Sequence, residues 1–148
     1  MSEIPPSFWL DENNSEFPKL SLALTEPNGL IAIGGNLSVE RLLKAYSLGI
    51  FPWYGKDEPI LWYSHDPRMV ITPEKFHLSK SLKRVIQSSK FEVCIDTAFK
   101  NVIVQCQKIS RKGQSGTWIN DDMIEAYCRL HEAGHAHSYE VYEDGELV

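Results

Sequence analysis

The chain has 148 residues, of which 43% are hydrophobic, 24% charged and 11% aromatic. This length is enough to bury a core without disulfides or a structural metal, and the aromatic content excludes a disordered chain. The apolar runs are short and the first residues lack the basic and apolar regions of a signal peptide, so we expect no membrane span and a cytoplasmic protein. Three widely spaced cysteines (Cys94, Cys106 and Cys128) predict reduced, mostly buried thiols.

The net charge of −5 taken alone argues against a nucleic-acid partner, but the charges are unevenly distributed. Residues 68–112 carry ten of the fifteen Lys and Arg and three of the twenty acidic residues. A basic region within an acidic protein is typical of a phosphate-facing surface. A solvated helix face explains the same pattern, so the charges leave both interpretations open.

Residues 1–65 are predicted to form a small α/β unit at the start of an α+β protein. Its first sixteen residues indicate an irregular arm. The apolar run at 30–33 predicts a short strand, and Gly34-Gly35 after it predicts a tight turn with positive φ rather than a nucleotide-binding loop.

A helix is expected directly after this turn. Ser38 is placed to cap a segment with apolar residues at helical spacing, and Gly49 is placed to end it. Residues 50–54 then concentrate aromatic side chains beside a proline, and residues 60–63 predict an extended segment.

Residues 66–148 are predicted to form the second unit. Residues 68–72 predict another strand, and Ser79 is placed to cap a short helix. In that helix we expect the apolar residues to face inward and the basic residues outward. The inward set is Leu82, Val85 and Ile86, and the outward set is Lys80, Lys83 and Arg84.

Two further helices and a strand follow. Residues 91–95 alternate as a strand does, and Asp96 is placed to cap the helix after it. Residues 111–116 indicate a flexible basic loop. Asn120 is placed to cap a last helix, which Gly134 ends.

The end of the sequence predicts a β-hairpin. Residues 137–142 alternate, Asp144-Gly145 is a strong turn signal, and residues 146–148 begin a returning strand. Since strands usually run for five or six residues, we expect the chain to stop inside a domain.

The sequence contains residues that could form a metal site or a stacking site. Cys128, His131, His135 and His137 lie close in sequence but on different predicted elements, so no metal site is predicted. Trp53, in a proline-braced loop, and Trp118, just before a helix cap, are both placed where an indole can be presented to a nucleobase. Burial in the core would also explain both tryptophans, and from the residues alone it is the favoured interpretation.

Several sequence strings together resemble one known family. The first group is PNGLIAIGGNLS at 27–38, RLLKAY at 41–46 and GIFPWY at 49–54. The second group is DPR at 66–68, HLSKSLKR at 77–84, GTWI at 116–119, EAY at 125–127 and LHEAGHAHS at 130–138. In order and spacing they resemble the leucyl/phenylalanyl-tRNA-protein transferases, with Tyr63 and His65 standing where the family pattern has Trp and Pro.

The resemblance implies an enzyme that moves leucine or phenylalanine, and less readily methionine, from aminoacyl-tRNA to proteins with N-terminal Arg or Lys. The product is a degradation signal. It implies a small N-terminal domain over 1–65 and, over 66–148, the first part of a domain similar to the GNAT acyltransferases. Neither a metal nor coenzyme A is expected, and the family's catalytic residues are expected beyond residue 148, so none is assigned here.

The same resemblance assigns binding roles to eight residues. Trp53 and Trp118 would flank the 3′-terminal adenosine and the acceptor entry, with Tyr46 and Tyr127 as neighbours. A second set would contact the tRNA backbone: Arg68, Lys80, Lys83 and Arg84. Two alternatives stay open, a non-catalytic RNA-binding module and a coenzyme A-dependent acyltransferase of GNAT type.

Overall fold

The computed structural model describes residues 4–109 and 117–148, which form an α+β structure as predicted. The helices in these ranges are α1 (Val39–Ser47), α2 (Lys80–Gln87), α3 (Phe99–Lys108) and α4 (Asp121–Glu132). The strands are β1 (Trp9–Leu10), β2 (Leu30–Gly34), β3 (Phe51–Pro52), β4 (Leu61–Tyr63), β5 (Glu92–Ile95), β6 (Tyr139–Glu143) and β7 (Glu146–Leu147). The basic loop predicted at 111–116 lies outside the described residues.

The first sheet contains four strands in the order β1-β2-β4-β3. β1 runs parallel to β2, and the other pairs are antiparallel. The predicted turn after β2 is confirmed, since Gly34 and Gly35 both have positive φ. The predicted helix α1 is also confirmed: the Ser38 hydroxyl accepts from the Arg41 N–H, and Gly49, with positive φ, follows its end.

The main hydrophobic core joins the first sheet to two helices. Ile31 of β2, Trp62 of β4 and Leu42 of α1 are fully buried, and Met123 and Leu130 of α4 belong to the same cluster. Asn120 caps α4 as predicted, by accepting from the Met123 N–H. A helix from the second half of the chain therefore completes the core of the first half.

The prediction of an irregular arm over the first sixteen residues is wrong for residues 6–10, while residues 11–16 form no helix or strand. Residues Pro6–Phe8 form a 3₁₀ turn, β1 follows, and Phe8 is buried in the core. The guanidinium of Arg41 is buried and donates through Nη2 to the carbonyl oxygens of Asp11 and Asn14, at 2.6 and 2.7 Å. These bonds from α1 fix a segment whose own sequence carries no strong local signal.

The second sheet has the order β5-β6-β7 and is antiparallel. The predicted strand β5 and the terminal hairpin are confirmed. Asp144 and Gly145 both have positive φ, which is the backbone of a tight two-residue hairpin turn. Helix α3 packs against α4, which links this sheet to the main core.

The start of α3 differs from its prediction. Asp96 does not cap the helix: it has positive φ, and its carboxylate accepts from the Ser138 N–H at 2.9 Å. The buried Glu140 carboxylate of β6 lies at the helix start instead and accepts from the N–H groups of Thr97 and Ala98 at 3.4 and 3.1 Å. A negative charge at a helix N-terminus is favourable, and here it comes from a distant strand.

Two other predictions in the second half are corrected. Residues 68–72 form no strand, and Met69, Val70 and Ile71 are exposed. Helix α2 is present and Ser79 caps it, but it contains no buried residue. Leu82, Val85 and Ile86, expected to face inward, are therefore exposed, because amphipathic spacing predicts a helix without supplying a partner for its apolar face.

The cysteines are unpaired but are not mostly buried as predicted. Cys106 is exposed, and Cys94 and Cys128 are half-buried. Within the described ranges, no set of three or more His, Cys, Asp or Glu side chains is arranged to hold a metal ion. No helix there is long and apolar enough to cross a membrane.

Candidate functional site

An open pocket of about 340 Å³ lies at the end of the first sheet. Its described lining consists of aromatic side chains and one proline. These residues are Phe51, Pro52, Trp53, His65 and Trp118. Trp53 and Trp118 are 48% and 40% exposed and share this one pocket, so the core burial that the residues alone favoured is wrong for both.

The pairing of β3 with β4 creates one wall of the pocket. Pro52 lies opposite Trp62, and both are buried on the core side of the sheet. Phe51 lies opposite Tyr63 on the other face, because successive side chains along a strand alternate. The Trp53 N–H donates to the Leu61 carbonyl at 2.8 Å, which extends the pairing to the pocket.

The side chains of one aromatic cluster pack against one another: Phe51, Trp53, Tyr63 and His65. The His65 ring centroid lies 5.4 Å from Phe51 and 5.9 Å from Trp53, each in an edge-to-face arrangement. Tyr63 lies 5.7 Å from Trp53. These are favourable separations for aromatic pairs, so the wall is organised before any ligand arrives.

Arg68 is bound to the aromatic cluster rather than free in solvent. Its guanidinium lies 5.0 Å from the centroid of Phe51 and donates through Nη1 to the Gly49 carbonyl at 2.9 Å. The arginine therefore places a positive charge next to the pocket wall.

Tyr46 of α1 and Tyr127 of α4 are brought together by their hydroxyl groups, which form a hydrogen bond. Burial is the main cause that raises the pKa of both phenols. For Tyr46 the charge of Arg68 acts in the opposite direction and lowers the pKa. Both tyrosines are therefore neutral hydrogen-bonding groups at physiological pH.

The basic residues of α2 form a separate feature. Lys80, Lys83 and Arg84 are exposed, and none of the ion pairs among the described residues involves them. They do not line the aromatic pocket. The structure thus brings Trp53 and Trp118 into one site and Tyr46 and Tyr127 into a pair, with Arg68 near both.

Three residues that line this pocket were not predicted from the sequence: Phe51, Pro52 and His65. The available signal was the alternation along 61–65, which puts Tyr63 and His65 on the same face of an extended segment. Chemically, the described lining holds no carboxylate and no thiol. The His65 imidazole is the one acid–base group of that lining, whose flat rings suit the stacking of a planar group.

Fold and site together define an α+β protein with a solvent-open pocket lined by aromatic side chains. The chain matches two family models, one described as the leucyl/phenylalanyl-tRNA protein transferase N-terminal domain over residues 35–66 and one as leucyl/phenylalanyl-tRNA protein transferase over residues 70–148. The chain belongs to the leucyl/phenylalanyl-tRNA-protein transferase family. Phe51, Trp53 and His65 fall in the first match and Trp118 in the second, so the pocket draws on both.

Individual relatives agree with this assignment. A leucyl/phenylalanyl-tRNA–protein transferase of Saccharophagus degradans is 48% identical over 145 residues, which cover 98% of this chain and 59% of the relative. That of Hydrogenovibrio crunogenus is 48% identical over 149 residues, covering 100% and 58%. That of Oleidesulfovibrio alaskensis is 58% identical over 130 residues, covering 88% and 52%. The chain therefore spans a little over half the length of these relatives.

Proposed function

We propose that this protein takes part in the transfer of leucine or phenylalanine, and less readily methionine, from aminoacyl-tRNA to proteins that begin with Arg or Lys. The transferred residue would mark the acceptor for proteolysis in the cytoplasm. Family membership over nearly the whole chain supports the reaction class. The observation that carries the proposal is the pairing of Trp53 with Trp118 in one open pocket.

This pocket suits the unpaired 3′-terminal adenosine of a charged tRNA. Single-stranded RNA ends are commonly bound by stacking their bases on aromatic side chains. Trp53, on the preorganised wall, and Trp118 supply two exposed indoles to this pocket. Each stacked base contributes about 1–3 kcal/mol by alanine substitution. Tyr46 and Tyr127 would flank the acceptor entry as a neutral hydroxyl pair.

The tRNA backbone would be held by basic side chains outside the pocket. Lys80, Lys83 and Arg84 are exposed on one short helix, and Arg68 sits beside the aromatic cluster. Phosphate contacts of this kind give affinity without reading sequence. Affinity for tRNA should then fall with salt, with a slope of about −0.7 to −0.9 for each neutralised phosphate.

The reaction itself needs no cofactor. An aminoacyl ester is an activated acyl donor, and an N-terminal amine with a pKa of about 7.7–8.0 is partly deprotonated at neutral pH. Attack of that amine on the ester carbon forms the new amide bond and releases the tRNA 3′ oxygen, which takes up a proton. Positioning, removal of the amine proton and stabilisation of the oxyanion are the remaining requirements.

For the 148-residue chain we propose the binding part of this work. Residues 1–65 would act as the N-terminal domain and 66–148 as the first part of a GNAT-like domain, and no residue of this chain is assigned to the chemical step. The relatives are longer than the matched region, in keeping with catalytic groups elsewhere in their length. We therefore expect the chain alone to bind charged tRNA without transferring the amino acid.

The test compares this chain with a hybrid that adds the remaining part of the Saccharophagus degradans relative. Transfer of radiolabelled leucine from charged tRNA to an Arg-initiated peptide is expected for the hybrid and not for the chain alone. Trp53→Ala or Trp118→Ala should weaken donor use by about 1–3 kcal/mol, roughly five- to 150-fold. Trp9→Ala is the matched control, because Trp9 is also exposed but lies outside the pocket.

Three results would contradict the proposal. Binding of tRNA without transfer by the hybrid would favour the RNA-binding module. Acyl transfer from coenzyme A would favour the metabolite acyltransferase. Normal kinetics with a lower melting temperature in the two tryptophan variants would make these residues structural.

A further inference from the structure

His65 is the most polar member of the aromatic pocket. Phe51 and Pro52 have no polar side-chain atom, and the indoles of Trp53 and Trp118 offer an N–H donor alone. A neutral imidazole offers one donor and one acceptor. Of the side chains in the described lining, His65 is therefore the one that can accept a hydrogen bond from a ligand.

The His65 ring packs against neighbouring aromatic rings, and its two nitrogens remain available for hydrogen bonds to a ligand. Its centroid lies 5.4, 5.6 and 5.9 Å from those of Phe51, Tyr63 and Trp53. None of the hydrogen bonds found within residues 4–109 and 117–148 involves the His65 ring. The packing thus supports the ring without occupying its polar atoms.

Stacking on two indoles cannot by itself select one base. Every nucleobase has a π face, so stacking tolerates any sequence, and discrimination requires hydrogen bonds to the base edge. Adenine carries an amino donor at position 6, where hypoxanthine and guanine carry a carbonyl acceptor. A pocket whose polar side-chain atoms include an acceptor can favour adenine over bases that lack the amino group.

We propose that His65 determines the base specificity of the pocket by accepting a hydrogen bond from the 6-amino group of a stacked adenine. The ligand class is an RNA 3′ end with an unpaired adenine. This inference rests on the proposed function, which supplies such an end. His65 acts in recognition and has no part in the chemical step.

The test titrates the 148-residue chain with the RNA trinucleotides CCA and CCI, whose last bases are adenine and hypoxanthine. The indole N–H signals of Trp53 and Trp118 report stacking in NMR spectra. Buried Trp62, whose Nε1 donates to the Gly34 carbonyl at 3.0 Å, is an internal reference. We expect CCA to bind about two- to tenfold more tightly than CCI, the effect of one hydrogen bond.

Three variants separate the hydrogen bond from the ring. His65→Phe keeps an aromatic ring without nitrogens and should remove the preference for CCA while both indole signals still shift. His65→Asn restores an acceptor and should regain part of the preference. His77→Phe, at an exposed histidine outside the pocket, should leave the preference unchanged.

The outcomes distinguish this inference from the proposed function. Equal binding of CCA and CCI by the unmodified chain, with shifts at both indoles, would overturn the role of His65 and leave the stacking site standing. Retention of the preference in His65→Phe would have the same meaning. If neither trinucleotide moves the signals of Trp53 and Trp118, the proposed 3′-end site and the role of His65 both fall.

Discussion

The two sheets of the molecule differ in what covers them. In β2 all four residues from Leu30 to Ile33 are buried, whereas Val93 and Tyr139 of the second sheet are 63% and 70% exposed. The buried side chains of the second sheet region are polar, namely Ser138 and Glu140. The first sheet is therefore stabilised by apolar burial, and the second depends more on hydrogen bonds.

This difference explains where the candidate pocket lies. Phe51 and Pro52 form β3 and Trp53 follows it, and the core-side partner of Pro52, Trp62, is fully buried. A binding wall attached to a well-packed sheet keeps its geometry without a ligand, which lowers the cost of ordering on binding. The pocket therefore depends on the better-packed half of the molecule.

The largest expected effect is the loss of a core aromatic from the first sheet. Trp62→Ala should lower the free energy of unfolding by about 3–5 kcal/mol, because the indole is fully buried and its removal leaves a cavity. Val93→Ala, in the exposed second sheet, should change it by about 0.5 kcal/mol or less. Urea unfolding followed by fluorescence and circular dichroism measures both.

Equal losses for these two variants would break the comparison, since they would mean that the second sheet is covered in solution. A change in the slope of the free energy of unfolding against urea concentration would show that the variant altered the surface area exposed on unfolding as well as the stability.

The next prediction concerns α4, which belongs to the second half of the sequence and to the core of the first. Met123→Ala should cost about 2–5 kcal/mol, and amide hydrogen exchange should speed up in β2. Glu125→Ala on the same helix is the control, because its exposed ion pair with Arg129 contributes about 0.3–0.5 kcal/mol. Faster exchange confined to β5 and β6 in Met123→Ala would separate α4 from the first core.

Local signals account for the parts of the fold that the sequence predicted. Ser38 and Asn120 cap their helices, and Asp144-Gly145 turns the hairpin, because each acts on backbone within a few residues. The group that caps α3 could not be predicted from local sequence, because it comes from a distant strand. Asp96 is the correct residue type in nearly the correct place, yet Glu140, far along the chain, holds the position.

The same distinction applies to the site. The sequence around Trp53 and Trp118 allows presented indoles but favours burial in the core, so their exposure could not be predicted from the residues alone. Their meeting in one pocket depends on tertiary structure, and so does the presence of His65 beside them. For α2, the periodicity predicted the helix correctly, but its exposed apolar face shows that periodicity says nothing about the partner.

A smaller effect separates the two capped helices α1 and α2. Ser38→Ala and Ser79→Ala each remove an acceptor for a first-turn N–H, at a cost of about 1 kcal/mol. Because α1 is packed in the core, Ser38→Ala should lower global stability. Because α2 has no buried residue, Ser79→Ala should speed amide exchange in α2 while leaving the urea midpoint nearly unchanged. A shifted midpoint in Ser79→Ala would show that α2 is part of the cooperative core.

The smallest effect concerns the polar contacts of the second sheet and depends on pH. His137 Nδ1 lies 2.7 Å from Asp96 Oδ2, and this hydrogen bond raises the pKa of His137 and lowers the pKa of Asp96. His131 also faces Asp96, with its Nδ1 3.8 Å from Oδ1. The pair is therefore a charged contact at the surface of the second sheet when His137 is protonated.

The sign of the pH dependence follows from these two shifts. A raised folded-state pKa for His137 means that its contribution to stability is complete below the unfolded value of about 6.5 and is lost as pH rises through the folded value. The lowered pKa of Asp96 means that its contribution is complete above about 3.9 and is lost at lower pH.

His137→Ala should therefore depress the melting temperature most between about pH 4 and 6.5, and the difference should shrink as pH rises. His135→Ala, at an exposed histidine on the same connection, is the matched control. A difference for His137→Ala that stayed constant up to alkaline pH would mean that the imidazole contributes through packing alone. The charge of the His137–Asp96 contact would then contribute nothing measurable to the stability of the second sheet.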